Sequence, residues 1–199
     1  EVGTKDVEEF IETIIKFYNQ NYICIASDIE SKEGKLLREK LKNQLLVKSF
    51  PTFGYFDYNG NLTNAVLGEF KSEDFIKEGF NNLDSANHLQ NLKSNFENEV
   101  SNYDKCFAYV LATKRIGFNA TEIAQKYLQT VNTTEYYTET NWRLIANGIT
   151  DFDAPEFIDL IKNKDKFETV VSKKRLEKKI NFVITDNFAN YIAANDTLT

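Results

Sequence analysis

The stretch that most constrains the fold is 47–60, VKSFPTFGYFDYNG, which joins one of only two prolines to a hairpin signal. The dipeptide Asn59-Gly60 favours a two-residue β-turn, because both residues tolerate positive φ. An apolar run precedes this turn and an alternating run, 62–67, follows it. Pro51 stands before the first run, where its missing N–H removes no ladder hydrogen bond. The stretch predicts loop, strand, turn and strand, with a candidate cis peptide bond before Pro51.

The flanking residues predict an alternation of helices and strands. Residues 22–27 form a short β-branched and aromatic run that predicts a buried strand. A helix is predicted to follow it up to about Asn43, and Ser72 is predicted to cap another. Before the run, a helix capped by Thr4 is predicted to bury one apolar face, made of Val7, Phe10, Ile11, Ile14, Ile15 and Tyr18.

The character of the chain changes at about Asp84, where strand signals stop and helical periodicity continues toward the C-terminus. Short polar links join these helices, which predicts stacked helical hairpins similar to tetratricopeptide arrays, although no clean period of about 34 residues is found. The sequence therefore predicts two domains, 1–83 and 84–199.

A family resemblance rests on the motif V-K-S-F-P-T-F-x-x-F-D-x-x-G, which resembles the second half of a thioredoxin domain. The run 22–27 with its terminal Asp28, and the later Gly68 and Phe75, fit the same family pattern. The resemblance covers about 1–83 and implies a fold of the α/β plus all-α class. It implies a partial thioredoxin-like fold of three strands with flanking helices, without its N-terminal βαβ part, followed by an α-helical hairpin array.

The helical part carries a second resemblance. The stretch 138–167 resembles the helical extension that follows thioredoxin domains in a group of bacterial envelope proteins. This resemblance implies the bacterial periplasm or cell envelope as the location, with the cytoplasm left open.

The implied activity depends on a dithiol. Thioredoxin-like enzymes use a C-x-x-C pair at a helix N-terminus, where a lowered thiol pKa creates the attacking thiolate. Cys24 and Cys106 do not have this spacing, and the family dithiol would fall upstream of Glu1. The resemblance implies a parent thiol-disulfide oxidoreductase or isomerase acting on protein disulfides, with no catalytic residue in this chain. It implies that the substrate is bound by Phe50, Pro51 and Thr52.

The alternative is a redox-inactive module that binds another protein through the helical array. A C-x-x-C pair in the parent gene would separate the two hypotheses, so enzyme activity is left open. Neither hypothesis implies a cofactor.

The remaining candidate side chains favour structural roles. Cys24 and Cys106 are predicted to be buried, inert thiols, because free cysteine is among the most buried residue types. His88 is the single histidine, so no zinc site is predicted. A solvated helix face is favoured over a partner-binding strip for the basic residues Lys173, Lys174, Arg175, Lys178 and Lys179.

Charge and hydropathy exclude two classes of partner. The net charge is −6 and the isoelectric point is about 5.0, which argues against nucleic acid, because phosphate binding needs clustered Lys and Arg. The sequence has no apolar run as long as the roughly 18 residues of a membrane helix, so no membrane insertion is predicted. The expected partner is a protein.

The resemblance raises a problem of strand pairing. A thioredoxin-like sheet places a further strand between 22–27 and 53–58, and the family pattern puts it upstream of Glu1. Both strands would then have unpaired edges, which promote swapping. Three solutions are predicted: a strand from a neighbouring molecule, a complementing fragment, or direct pairing of 22–27 with 53–58.

Overall fold

The structure, a computed structural model, describes the backbone of residues 4–68 and 71–196 and the side chains of 11–68, 71 and 73–194. These residues are mostly helical and contain one antiparallel sheet of two strands, which is compatible with the predicted α/β plus all-α class. The predicted cap by Thr4 and the packing of Val7 and Phe10 lie outside the described side chains.

The chain divides into two compact units. The first holds the described residues up to Asn91 together with Arg115–Phe118, and the second holds Leu92–Lys114 and the described residues from Asn119 onward. That 1–83 and 84–199 form two separate domains stays a prediction.

The first unit is built on a hairpin and three helices. Helices α1 (Thr4–Asn21) and α3 (Ser72–Leu83) pack on each other, and the Ser31 side chain caps α2 (Lys32–Leu41) by accepting a hydrogen bond from the Gly34 N–H at 2.9 Å. A 3₁₀ turn, Ser85–Asn87, leads to α4, Leu89–Asn98. The elements are α1 (Thr4–Asn21), α2 (Lys32–Leu41), β1 (Thr52–Phe56), β2 (Leu62–Leu67) and α3 (Ser72–Leu83).

The predicted hairpin is confirmed, but its turn is not the predicted two-residue turn. The connecting loop covers 57–61, and only Gly60 has positive φ there, at 80°. The Asp57 carboxylate organises this loop by accepting the N–H groups of Asn59 and Asn61, each at 2.9 Å. Hydrogen bonding to Asn61 is also the main reason that the pKa of Asp57 is lowered. A side-chain acceptor therefore closes a longer loop.

The predicted strand over 22–27 is wrong. These residues form no strand, and direct pairing with 53–58 is absent. A strand needs a hydrogen-bonded neighbour, and none of the described residues supplies one. Two of the three predicted strands are therefore present in the described part of the chain.

Apolar clusters cover both faces of the hairpin. One cluster lies under α1 and α3, and the other joins the second face to Ile116. In contrast to the prediction of one buried face for α1, Ile11 and Ile15 remain about half exposed. The first cluster contains Ile14, Phe17, Tyr18, Tyr22, Tyr55, Val66 and Phe75, and the second contains Leu45, Val47, Leu62, Ala65, Leu89, Ile116 and Phe118.

The second unit consists of helices joined by loops and has no strand among its described residues. Its core surrounds Trp142, which is 2% exposed. The periodicity of the last helix predicts one apolar face through Leu176, Ile180, Val183, Ile184 and Phe188. The first three are buried, but Ile184 and Phe188 are 51% and 64% exposed, so the prediction is wrong for these two. No described helix is long and apolar enough to cross a bilayer. The remaining helices are α5 (Tyr103–Arg115), α6 (Thr121–Leu128), α7 (Glu139–Gly148), α8 (Pro155–Lys162), α9 (Lys164–Phe167) and α10 (Lys173–Asp196).

Candidate functional site

The loop before β1 contains the residues that the sequence assigned to substrate binding. The Phe50-Pro51 bond is cis, which confirms that expectation. The Thr52 hydroxyl donates to the Ser49 carbonyl at 2.6 Å, and the Gly68 N–H donates to the Pro51 carbonyl at 2.8 Å. The Phe50 side chain is 63% exposed, so the loop is held by its backbone while an aromatic ring faces solvent.

The outer edge of β1 is open. Along a strand of an antiparallel pair, the backbone N–H and C=O groups of successive residues point alternately toward and away from the partner strand. The Gly68 N–H donates to the Pro51 carbonyl, so the groups of Phe53 and Tyr55, two and four residues later, also point toward β2. Thr52 and Gly54 therefore direct theirs away from β2, and no described strand pairs with that edge.

The outer edge of β2 is covered at Leu62 by side chains. The Gln44 amide oxygen accepts the Leu62 N–H at 2.8 Å, and the Gln90 amide donates to the Leu62 carbonyl at 2.9 Å. The β2 edge is therefore capped at Leu62, whereas no described strand pairs with the outer edge of β1. No sequence pattern signals this difference, because neither glutamine lies in a recognisable motif.

A tyrosine cluster supports β1 from one face. The Tyr18 and Tyr55 hydroxyls are 2.8 Å apart, and the Tyr18 hydroxyl donates to the Phe75 carbonyl at 2.7 Å. Burial raises the pKa of Tyr18 to about 12 and also raises the pKa of Tyr55. These phenols are therefore neutral at physiological pH and anchor α1 and α3 to the strand.

The segment 22–28 leads away from α1 without a backbone partner strand. The Tyr22 hydroxyl donates to the Gly79 carbonyl at 2.6 Å, which fixes the start of the segment. Beyond it, the side chains of Ile23 and Ile25 are 94% and 85% exposed. Two large apolar side chains are therefore in solvent within three residues, and exposed apolar surface of this kind marks interaction sites when it is contiguous.

The two cysteines have different environments. Cys24 lies in the exposed segment, so the prediction that it is buried is wrong. Its apolar neighbours indicated a strand interior, but no second strand covers them. Cys106 is fully buried as predicted, its thiol lies 3.6 Å from the Ile123 carbonyl, and burial raises its pKa to about 12. Cys106 is therefore an inert core thiol.

His88 and the acidic residues form no metal centre in the part of the chain that the structure describes. The Nε2 atom of His88 is 2.8 Å from the Asn82 carbonyl oxygen, which gives the ring a structural role beside α3. No three His, Cys, Asp or Glu side chains come together among the described residues.

The basic end of α10 divides into exposed and buried lysines. Lys173, Lys174 and Lys178 are exposed, whereas Lys179 is 7% exposed, so the prediction of a solvated face is wrong for Lys179. Its ammonium group donates to the Ala146 carbonyl at 3.0 Å and to the Ile149 carbonyl, which lie at the C-terminal end of α7. Lys179 therefore caps α7 from the neighbouring helix.

Replacing Lys179 with methionine is expected to change how stability depends on pH. Burial, with a smaller contribution from Lys114, lowers the pKa of Lys179 from 10.5 to about 8. Between these values the unfolded chain binds more protons than the folded chain, so the Lys179 contribution to the free energy of unfolding rises with pH. Urea unfolding at about pH 7.5 and about pH 9.5 measures this rise, which the variant should lose.

The exposed neighbour Lys178, replaced with methionine, is the matched control and should keep the wild-type pH dependence. Tyrosine ionisation is common to all three proteins and cancels in the comparison. The same difference between wild type and Lys179→Met at both pH values would contradict the prediction.

Comparison with known proteins found no relative of this chain. No family model matches the chain, and neither the curated proteins nor the solved structures include a match.

Proposed function

We propose that the first unit is part of a thioredoxin-like fold that binds an extended polypeptide along the open edge of β1. The order of its elements supports the proposal: helix, exposed apolar segment, helix, proline loop, hairpin and helix. The observation that carries it is the position of the exposed Phe50 ring at the start of an unpaired strand edge. Such an edge binds a peptide through main-chain hydrogen bonds, and neighbouring side chains give selectivity.

Each residue of the loop has a role in this proposal. The outward backbone groups of Thr52 and Gly54 would pair with the bound chain, while Phe50 would pack on one of its side chains. Pro51 has no N–H, so the edge begins at Thr52. The capped edge of β2 at Leu62 leaves β1 as the available side of the hairpin.

Disulfide exchange remains the proposed activity of a parent protein that has a C-x-x-C pair. The 199 residues contain Cys24 and Cys106 only, and the buried Cys106 thiol does not exchange. For these residues the proposal is therefore polypeptide binding. The implied location in the bacterial periplasm or cell envelope belongs to the same proposal.

The second candidate function is protein binding through the helical array. It is favoured by α10, where Ile184 and Phe188 are 51% and 64% exposed at helical spacing. Their separation of four residues places them on one face. A partner with an apolar groove would suit this face.

Replacing Phe50 with alanine is expected to weaken polypeptide binding about tenfold, since exposed aromatic anchors account for much of the energy of small interfaces. The probe is a fluorescently labelled lactalbumin, kept unfolded by reduction and alkylation, and the measurement is fluorescence anisotropy with the whole chain. Phe50 is largely exposed, so the substitution leaves the core intact.

The matched control is Tyr58→Ala, which removes an aromatic ring that is 97% exposed in the hairpin loop at the other end of β1. Its affinity should remain within about twofold of wild type. Equal losses in both variants, or no loss at Phe50, would argue against the β1 edge as the binding site.

A further inference from the structure

The first unit contains a segment that could form a β-strand and a strand edge that could accept one, and the two are not paired with each other. One is the donor segment, residues 22–27, which is uncharged, rich in β-branched and aromatic residues, and without a backbone partner strand. The other is the outer edge of β1, whose backbone groups at Thr52 and Gly54 are unpaired with any described strand. Exposed strand-prone segments and open edges associate with strands of other chains when nothing blocks them.

The usual protections against such pairing are weak here. Charged side chains, prolines and bulges normally prevent edge pairing, but the donor segment has no charged residue and no proline. On β1, Thr52 to Tyr55 is also free of charge, and the irregularity of the ladder lies at the far end, between Tyr55 and Phe56. Residues 23–27 of the donor segment and the outer edge of β1 are therefore both accessible.

The side-chain pattern fits an added strand. On β1, Tyr55 packs in the cluster under α1 and α3, while a Cβ on Gly54 would point to the opposite face, 2.9 Å from the Phe56 ring and 3.3 Å from Leu45. An added strand in which Ile25 lies opposite Gly54 would place Ile25 beside that second apolar cluster. There Ile25 would cover part of the Phe56 ring, which lies over Gly54 and is 39% exposed.

Charge decides the direction of the added strand. In an antiparallel arrangement with Ile25 opposite Gly54, Asp28 would lie opposite Pro51, which carries no charge. In a parallel arrangement with the same pair, Asp28 would lie opposite Asp57, and like charges opposite each other are destabilising. The antiparallel direction is consequently preferred.

We propose that the donor segment of one copy adds as an antiparallel strand to the outer edge of β1 in a second copy, and that the second copy returns the same contact. Each copy has one donor and one acceptor, so two reciprocal contacts close a two-fold dimer. The proposal uses the same edge as the proposed function but does not depend on it. A dimer of this kind would compete with a bound polypeptide.

The experiment is sedimentation equilibrium of the whole chain in reducing buffer between about 1 µM and about 1 mM, the range in which weak contacts form. The wild-type chain should form a dimer as its concentration rises. Ile25→Lys should raise the dimer dissociation constant at least about tenfold, because a lysine on a strand edge blocks pairing. The Ile25 side chain is 85% exposed, so this change does not disturb the core.

Leu36→Lys is the matched control, because Leu36 is an exposed apolar residue of α2 outside the donor segment. It should leave the dissociation constant unchanged. Amide hydrogen exchange locates the contact: exchange at Gly54 and Ile25 should slow as the dimer forms, since both N–H groups become hydrogen-bonded. A wild-type chain that stays monomeric, a dimer insensitive to Ile25→Lys, or exchange independent of concentration would each overturn the proposal.

The experiments distinguish failure of the proposed dimer from failure of the proposed polypeptide binding. A monomeric wild-type chain that still binds unfolded lactalbumin through Phe50 overturns the dimer alone. A dimer that Ile25→Lys dissociates supports the inference, and failure of the resulting monomer to bind lactalbumin then overturns the proposed function alone.

Discussion

Replacing Trp142 with alanine is expected to lower the free energy of unfolding of the helical unit by about 3–5 kcal/mol. The side chain is 2% exposed, and its ring lies 6.3 Å from that of Phe167 in an edge-to-face contact. Truncation removes the largest side chain of this core and leaves a cavity that rigid helices fill only in part. Urea unfolding followed by far-ultraviolet circular dichroism measures the loss.

Phe152→Ala is the control for Trp142, because Phe152 belongs to the same unit but is 59% exposed. Its effect should stay within about 0.5 kcal/mol. Trp142→Phe should cost much less than Trp142→Ala, because it retains an aromatic ring and removes an indole N–H that has no acceptor among the described residues. Equal losses for Phe152→Ala and Trp142→Ala would contradict this account of the core.

Replacing Gly148 with alanine is expected to destabilise the helical unit by about 1–3 kcal/mol, even though alanine favours helices more than glycine does. A Cβ at this position would lie 2.6 Å from the Cβ of Ala124 and 3.5 Å from a methyl group of Val110. The first distance is too short for carbon atoms, so α6 and α7 must separate. Fluorescence of Trp142, the only tryptophan in the chain, reports the unfolding of this unit.

A second substitution tests the mechanism of the Gly148 effect. Ala124→Gly removes the methyl group that a new Cβ would meet, so the double variant Gly148→Ala, Ala124→Gly should be more stable than the sum of the single effects predicts. Strict additivity would show that the close approach of α6 and α7 is not the cause.

The hairpin shows which parts of the structure local sequence determined and which it did not. The apolar run before Asn59-Gly60 and the alternating run after it predicted both strands correctly, because the period of two is a property of the strand itself. The turn was predicted as a two-residue type from the same dipeptide. It is longer because the Asp57 carboxylate accepts hydrogen bonds from the backbone N–H groups of Asn59 and Asn61.

The donor segment shows a larger limit of prediction from local sequence. Its residues have the composition of a buried strand, and from sequence Cys24 was placed in a core. Burial, however, depends on a neighbouring strand and a covering layer, and the described residues supply neither for Ile23 and Ile25. Composition indicates that a segment can form a β-strand, but not whether a neighbouring strand is present to pair with it.

Lys179 illustrates the same limit in a helix. The period of α10 predicts one apolar face, but only its first part, Leu176, Ile180 and Val183, is buried, and Ile184 and Phe188 are more than half exposed. The burial of Lys179 had no sequence signal, because its partners are carbonyl oxygens of Ala146 and Ile149, more than one helix away along the chain. A charged residue becomes buried only where tertiary structure supplies acceptors.

By itself, the sequence determined the positions of most of the helices, the two strands of the hairpin and the cis bond before Pro51, because periodicity and the residues that flank a turn act within a few positions. Tertiary structure alone decided which edges and faces are covered. Gln44 and Gln90 close the β2 edge at Leu62, whereas no described residue pairs with the outer edge of β1. The physical reason is that coverage depends on groups distant in sequence, whose approach no local pattern encodes.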